Sequence, residues 1–226
     1  MVGAYTAADD VPALVNDAWN RAMQSEPVTF ESAEQETKSK NQVADLVRTY
    51  LSETDIASEK PLAVEQRYEV PLVDPLTGED FGLPLVGVVD LILDGESGPV
   101  IVDFKTAASA SSNCELQHEI QLTAYSYLIR QVFGVNESAL EIRQLVKTKT
   151  PKIVVHRFPP RTDEHFARFF GIVREYLDGI DRGVFNYRPS WTCGTCEHNG
   201  SCVAVVPASD YKEPKQCAVL STVAIT

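Results

Sequence analysis

Hydrophobic positions along the chain alternate between a helical and an extended period. Residues 9–24, DDVPALVNDAWNRAMQ, set Val11, Leu14, Val15 and Trp19 near helical spacing behind Asp10 as N-cap. Residues 31–51 predict a longer helix with a polar first half, a solvated face, and an apolar stripe of Val43, Leu46, Val47, Tyr50 and Leu51. Residues 62–73, LAVEQRYEVPLV, alternate and carry β-formers, which predicts a strand; turn residues fill 74–82. Apolar runs at 85–93 and 99–105 flank Asp94-Gly95-Glu96-Ser97-Gly98-Pro99, the pattern of a β-hairpin. A small, polar loop follows at 106–113, then a helix at 115–133 that ends before Gly134. Strands are expected at 139–148 and 152–158, joined at Lys149-Thr150-Pro151. A last helix is expected at 162–182, capped by Thr162. Beyond it the chain turns irregular and cysteine-rich, and residues 203–226 show no clear period. The order ααβββαββα predicts an α/β (α+β) fold, a central mixed β-sheet flanked by helices.

The hairpin carries two carboxylates among aliphatic neighbours, Asp90 in GVVDLI and Asp103 in IVDFKT. With the turn centred between Glu96 and Ser97, Asp90 and Asp103 are equidistant from it. Opposed residues on an antiparallel pair have Cβ atoms about 5 Å apart, and like charges there repel. Lys105, two residues on, projects from the Asp103 face, and Phe104 from the other. Carboxylates on adjacent strands suit a hard divalent cation, Mg²⁺ or Mn²⁺, to which the Phe104 backbone carbonyl could add a ligand. Such an ion would polarise a phosphoryl oxygen and lower the pKa of a bound water. The bland alternative is a surface hairpin with an Asp103–Lys105 salt bridge. Gln121 and Tyr125, four apart on one face of the next helix, could hydrogen-bond a phosphate or orient Lys105; ordinary helix packing is the alternative.

Composition narrows the setting. The chain has 226 residues, enough for a real core, and no apolar run long enough to span a membrane. Its start shows no basic, apolar leader, so a cytoplasmic location is expected. Five cysteines in such a compartment point to a metal or cluster rather than disulfides. A net charge of −12 argues against broad, non-specific DNA binding but leaves room for a site where metal ions bridge to phosphate.

Three motifs together carry a specific resemblance. Gly87-x-x-Asp90, then Asp103-x-Lys105-Thr106, then Gln121-x-x-x-Tyr125 resembles the RecB-like branch of the PD-(D/E)XK nuclease superfamily. Glu65 resembles a glutamate often found in the preceding strand of that branch, and may otherwise be the partner of a neighbouring basic residue. VKTKTPKI, with Lys147 and Lys149, resembles the strand pair after the motif helix. The resemblance runs from about residue 60 to residue 202. It implies a restriction-endonuclease-like core, an Mg²⁺ or Mn²⁺ site on Asp90 and Asp103, a catalytic Lys105, a supporting Glu65, and Gln121 and Tyr125 near DNA. It divides the chain into a nuclease domain at 1–190, a cysteine-rich knuckle at 191–203 and a tail at 204–226.

The knuckle, Cys193-x2-Cys196-x5-Cys202, has thiolate spacing typical of a metal or cluster. It resembles the C-terminal cysteines of iron–sulfur nucleases of this superfamily, including AddB and the CRISPR spacer-acquisition nucleases, which implies a [4Fe–4S] cluster. Zn²⁺ with His198, or an empty site, stays open. The family's upstream cysteine and early-helix histidine have no counterpart here, and neither Cys114 nor Cys217 stands at the family position. That predicts an N-terminally shortened member, with a second chain supplying the missing part as one account.

The implied function is a metal-dependent DNA nuclease, an exonuclease of phage or bacterial recombination and repair, acting through a metal-activated water. A helicase or annealing protein is a possible partner. The alternatives are a catalytically incomplete nuclease fold that binds DNA ends or proteins, and a small zinc or iron–sulfur module of unrelated fold.

Overall fold

The structure, a computed structural model, describes residues 10–25, 27–110, 114–184, 190, 193–194, 196–200 and 223–225. Its elements are α1 (Val11–Ser25), α2 (Ala33–Glu53), β1 (Pro61–Val73), β2 (Asp80–Gly95), β3 (Gly98–Ala107), α3 (Cys114–Phe133), β4 (Ala139–Val146), β5 (Lys152–Phe158), α4 (Asp163–Asp181) and β6 (Val223–Ile225), with a 3₁₀ turn at Ile56–Ser58. The chain clusters into two compact units. One comprises residues 1–68, 87–160 and 226, and the other 69–86 and 161–225.

The sheet order is β1-β2-β3-β4-β5, with β6 paired to β2. The sheet is mixed, as expected. β2 and β3 are antiparallel, β3 and β4 parallel, and β4 and β5 antiparallel. A parallel pair needs a long crossover, and α3 supplies it.

In the first unit, residues 100, 102 and 104 of β3 face one side. Val100 and Val102 pack there with Leu91, Leu93 and Ala139, and Phe104 joins their edge. Tyr50 of α2 meets Phe104 edge-on at 5.4 Å, so α2 covers this face. α1 lies on α2 through Val11, Val15, Ala44 and Val47, and Trp19 donates to Glu36 at 3.0 Å. Ser32 caps α2 by accepting the Gln35 N–H, and the polar first turns of α2 are exposed, as its sequence predicts. The hairpin closes on Glu96-Ser97, with Gly95 opposite Gly98. Gly98 has φ +130, and a Cβ there would lie 2.8 Å from the Asn136 carbonyl, so the turn needs glycine.

Glu137, 1% exposed, ties the end of α3 to the start of β4. It accepts from Ser126 at 2.7 Å and from Arg130 Nε and Nη2 at 2.8 and 3.0 Å. In the second unit, Arg174 of α4 binds Asp74 and Glu79 in the β1–β2 connection, and Phe81 stacks on Phe170. β2 therefore begins at Asp80, earlier than the expected 85.

Removing one partner of a buried ion pair strands the other, at a cost of about 3 kcal/mol. Glu137→Ala is expected to lower the melting temperature by roughly 6–12 °C, at ~2–4 °C per kcal/mol for a chain of this size. Thermal unfolding followed by circular dichroism checks this; an unchanged midpoint would show that the Glu137 contacts contribute nothing.

Candidate active site

The β2–β3 ladder runs from Gly95–Gly98 to Leu91–Val102, the register expected from the turn. At the next position the two carboxylates part in role. Asp90 Oδ2 accepts the backbone N–H of Phe104 at 2.7 Å, taking a bond from β3 through its side chain. A strand residue's N–H and C=O point the same way, so the Phe104 carbonyl also faces β2. Asp103 projects from the opposite face to Phe104 and is 1% exposed.

Lys105 leans back over Asp103. Its Nζ donates to Oδ1 at 2.9 Å and lies 2.8 Å from Oδ2, without hydrogen-bond alignment to the latter. Asp103 Oδ2 is thus a buried carboxylate oxygen whose near partner is the Lys105 ammonium, in ion-pair contact but poorly aligned for a hydrogen bond. A buried acceptor in that state carries a desolvation cost, and a cation would offset it. Oxygen donors from Asp90, Asp103 and the Phe104 carbonyl fit Mg²⁺ or Mn²⁺, which keep several waters. Among the described residues, no group of three or more His, Cys, Asp or Glu side chains is placed to hold a metal ion.

Glu65 sits in β1 with φ +47, a left-handed conformation unusual for a non-glycine residue. It is exposed, yet partial burial and then the Asp90 charge push its carboxyl above the ordinary range. Such kinks re-aim side chains beside sites. The expected alternation fails around it, with Leu62 and Val64 both exposed.

α3 covers the Asp103 face. Gln121 Nε2 donates to Tyr125 Oη at 3.0 Å, as their spacing allows. Burial pushes the Tyr125 phenol up to about 12, opposed by Gln121 and reinforced by Asp103, Asp90 and Glu65. The phenol therefore keeps its proton at any working pH and can donate it.

The same helical stripe holds Cys114 and His118, to which sequence reasoning gave no role. Cys114 is the first residue of α3 and 1% exposed. Burial, then the Asp103 charge, holds its thiol above the ordinary range. Burial and the Lys105 charge hold the His118 imidazole below its ordinary range, so it is neutral at pH 7. The i, i+4, i+7, i+11 spacing of 114, 118, 121 and 125 was the available signal. His156 lies 3.3 Å from Gln144, and His165 Nδ1 accepts the Thr162 N–H at 3.1 Å; both serve structural contacts.

In the knuckle, Cys193 and Cys196 are free thiols, and the Ser190 N–H points at Cys193 Sγ at 3.2 Å. Cys202, the third cysteine of the expected ligand set, lies outside the described residues, as does the tail except 223–225.

The sequence model of the PD-(D/E)XK nuclease superfamily matches residues 3–203. Among solved structures, a Eubacterium rectale protein named "Putative exonuclease" is similar with a TM-score of 0.54 and 16% identity, over 86% of this chain and 75% of that one. The protein SSO0001 is similar with a TM-score of 0.46 and 13% identity, over 88% and 86%. No curated protein matches the chain.

Burial raises the Asp103 carboxyl above the usual aspartate range; Lys105 opposes this and Asp90 adds to it. An acid whose folded pKa is raised holds its proton more tightly when folded. Stability then falls as pH rises from the unfolded through the folded value. Asp103→Asn removes that penalty. In EDTA at pH 7.5 it is expected to melt about 2–4 °C higher than the parent, near 1 kcal/mol. The gap should close below pH ~4, where aspartate is protonated in both states. A variant no more stable than the parent across this range would contradict it.

Proposed function

The chain belongs to the PD-(D/E)XK nuclease superfamily, and we propose that it is a divalent-metal-dependent deoxyribonuclease, an exonuclease of recombination or repair. One observation carries this reading. Asp103, Lys105 and Asp90 meet on one wall of the sheet, and Asp103 is 1% exposed with the Lys105 ammonium 2.9 and 2.8 Å from its two carboxylate oxygens. A surface salt bridge would leave both carboxylate oxygens in water.

In this reading Asp90, Asp103 and the Phe104 carbonyl hold Mg²⁺ or Mn²⁺, with Glu65 as a supporting carboxylate. The ion supplies Lewis-acid charge and lowers the pKa of water. The chain's own groups do the rest. Asp90, anchored by the Phe104 N–H, keeps one orientation. Lys105 lies within reach of a nucleophilic water and of the phosphoryl oxygens, where an ammonium orients the one and stabilises charge on the other. Tyr125, buried and protonated, accepts from Gln121 and so fixes the half-buried amide that faces the site. Residues 123–129 of α3 are buried, which fixes the helix that presents it.

The knuckle is proposed to bind a [4Fe–4S] cluster or Zn²⁺ through Cys193, Cys196 and Cys202. A cytoplasmic setting and a helicase, an annealing protein or a second chain as partner belong to the same proposal. No helix among the described residues is long and apolar enough to cross a membrane. The second reading, a nuclease fold that binds DNA ends without cutting, draws support from the −12 charge and from the lack of a third clustered ligand.

End-labelled linear DNA, single- and double-stranded, is expected to be degraded with Mn²⁺ or Mg²⁺ and left intact in EDTA. Lys105→Ala should lower turnover at least ~100-fold. Either ion should raise the melting point of the parent but not of Asp103→Asn. Metal-dependent stabilisation without cleavage of either substrate would favour the end-binding reading.

A further inference from the structure

A buried polar clasp lies beside Lys105. Lys105 pairs with Gln144 in the parallel β3–β4 ladder, and Gln144 with Val154 in the β4–β5 ladder. Directly paired residues share a face, so Asp103, Lys105, Gln144 and His156 all project toward α3. Gln144 is 3% exposed, in a position flanked by the apolar Ile142 and Val146. Burying an amide is costly unless its hydrogen bonds are made. Its Nε2 donates to Cys114 Sγ at 3.4 Å, and its Oε1 lies 3.3 Å from His156 Nε2. It therefore joins the first residue of α3 to the β5 edge strand.

We propose that Gln144 is a positioning residue for the nuclease site, docking the first turn of α3 over Lys105. The proposal rests on the nuclease reading only for its kinetic consequence. Polar contacts tie both ends of α3. Glu137 secures its C-terminal end, and Gln144 its N-terminal end, where the helix starts just after the loop that follows β3. His118 and Gln121 follow Cys114 at helical spacing, so a first turn that lifts carries them away from Lys105. Leucine is close to glutamine in volume, and His156 is only half-buried and can turn to water. Replacing Gln144 with leucine should therefore cost little stability while releasing the helix end. Cys114, deeply buried, reports that release directly.

The test uses the full chain and two readouts. Maleimide labelling, read at Cys114 by peptide mass spectrometry without DNA or metal, should be slow in the parent. It should quicken at least tenfold in Gln144→Leu, with the melting point within a few degrees. On DNA, Gln144→Leu should lose at least tenfold in kcat with KM within about twofold. Cys114→Ser, whose oxygen also accepts the amide, should retain most of kcat; Cys114→Val should not. Labelling of Gln144→Leu at the parent rate overturns the clasp. So does parent-like kcat in Cys114→Val, which also decides the matter if Gln144→Leu does not fold. Lys105→Ala should abolish cleavage yet leave Cys114 protected. If the parent cuts no DNA, the nuclease reading fails while the labelling result still judges the clasp.

Discussion

The site depends on one constraint: Asp103 is a carboxylate buried in the middle of a sheet. Transfer of an unpaired charge out of water costs several kcal/mol, more than a typical side-chain contact returns. The chain meets that cost from two sides. Lys105, two residues on, folds back onto Asp103, because period-two geometry puts both on one face. Asp90 avoids direct opposition by turning its carboxylate onto the Phe104 N–H. The ladder thus stays regular to Leu91–Val102 and changes its hydrogen bonding where the charges meet. Aliphatic neighbours on both arms make the placement rigid, so the leftover acceptor, Asp103 Oδ2, stays in one position.

α3 is the second layer of the site, and its burial is uneven. Its later residues are enclosed on nearly all sides, which flattens the amphipathic pattern, while Leu116 and Ile120 near its start are exposed. A helix held firmly at one end and lightly at the other transmits error to whatever its first turns present. The Glu137 cluster and the Gln144 bond address the two ends with different strengths, a charged bidentate pair against an amide–thiol contact. The weaker end lies closer to Lys105.

Local chemistry was legible in the sequence, and crossings were not. The turn residues Gly95 and Gly98 gave the hairpin register, and Gly134 and Thr162 gave helix ends to within a residue or two. The partnership of Asp103 with Lys105, and of Gln121 with Tyr125, followed from spacing alone. Cys114 and Gln144 were invisible as a pair because their contact depends on the parallel β3–β4 register, 30 residues apart in sequence. Arg143 likewise gathers Glu141 of its own strand, Glu59 of the connection before β1 and Tyr50 of α2. Glu65 fails for another reason. Its left-handed backbone breaks the alternation that a strand reading assumes, and no turn residue marks the place.

Electrostatics then bears on the order of events at the site. Glu65, Asp90 and Asp103 set three carboxyl groups against the one ammonium of Lys105, on a chain already at −12. A phosphodiester approaching it meets repulsion, undiminished by screening at contact distances shorter than the ~8 Å Debye length. Burial first, and then the Asp90 charge, raises the carboxyls of Asp103 and Glu65. A divalent cation cancels that excess, and one ammonium does not. Under the nuclease reading, cation uptake would therefore precede DNA binding.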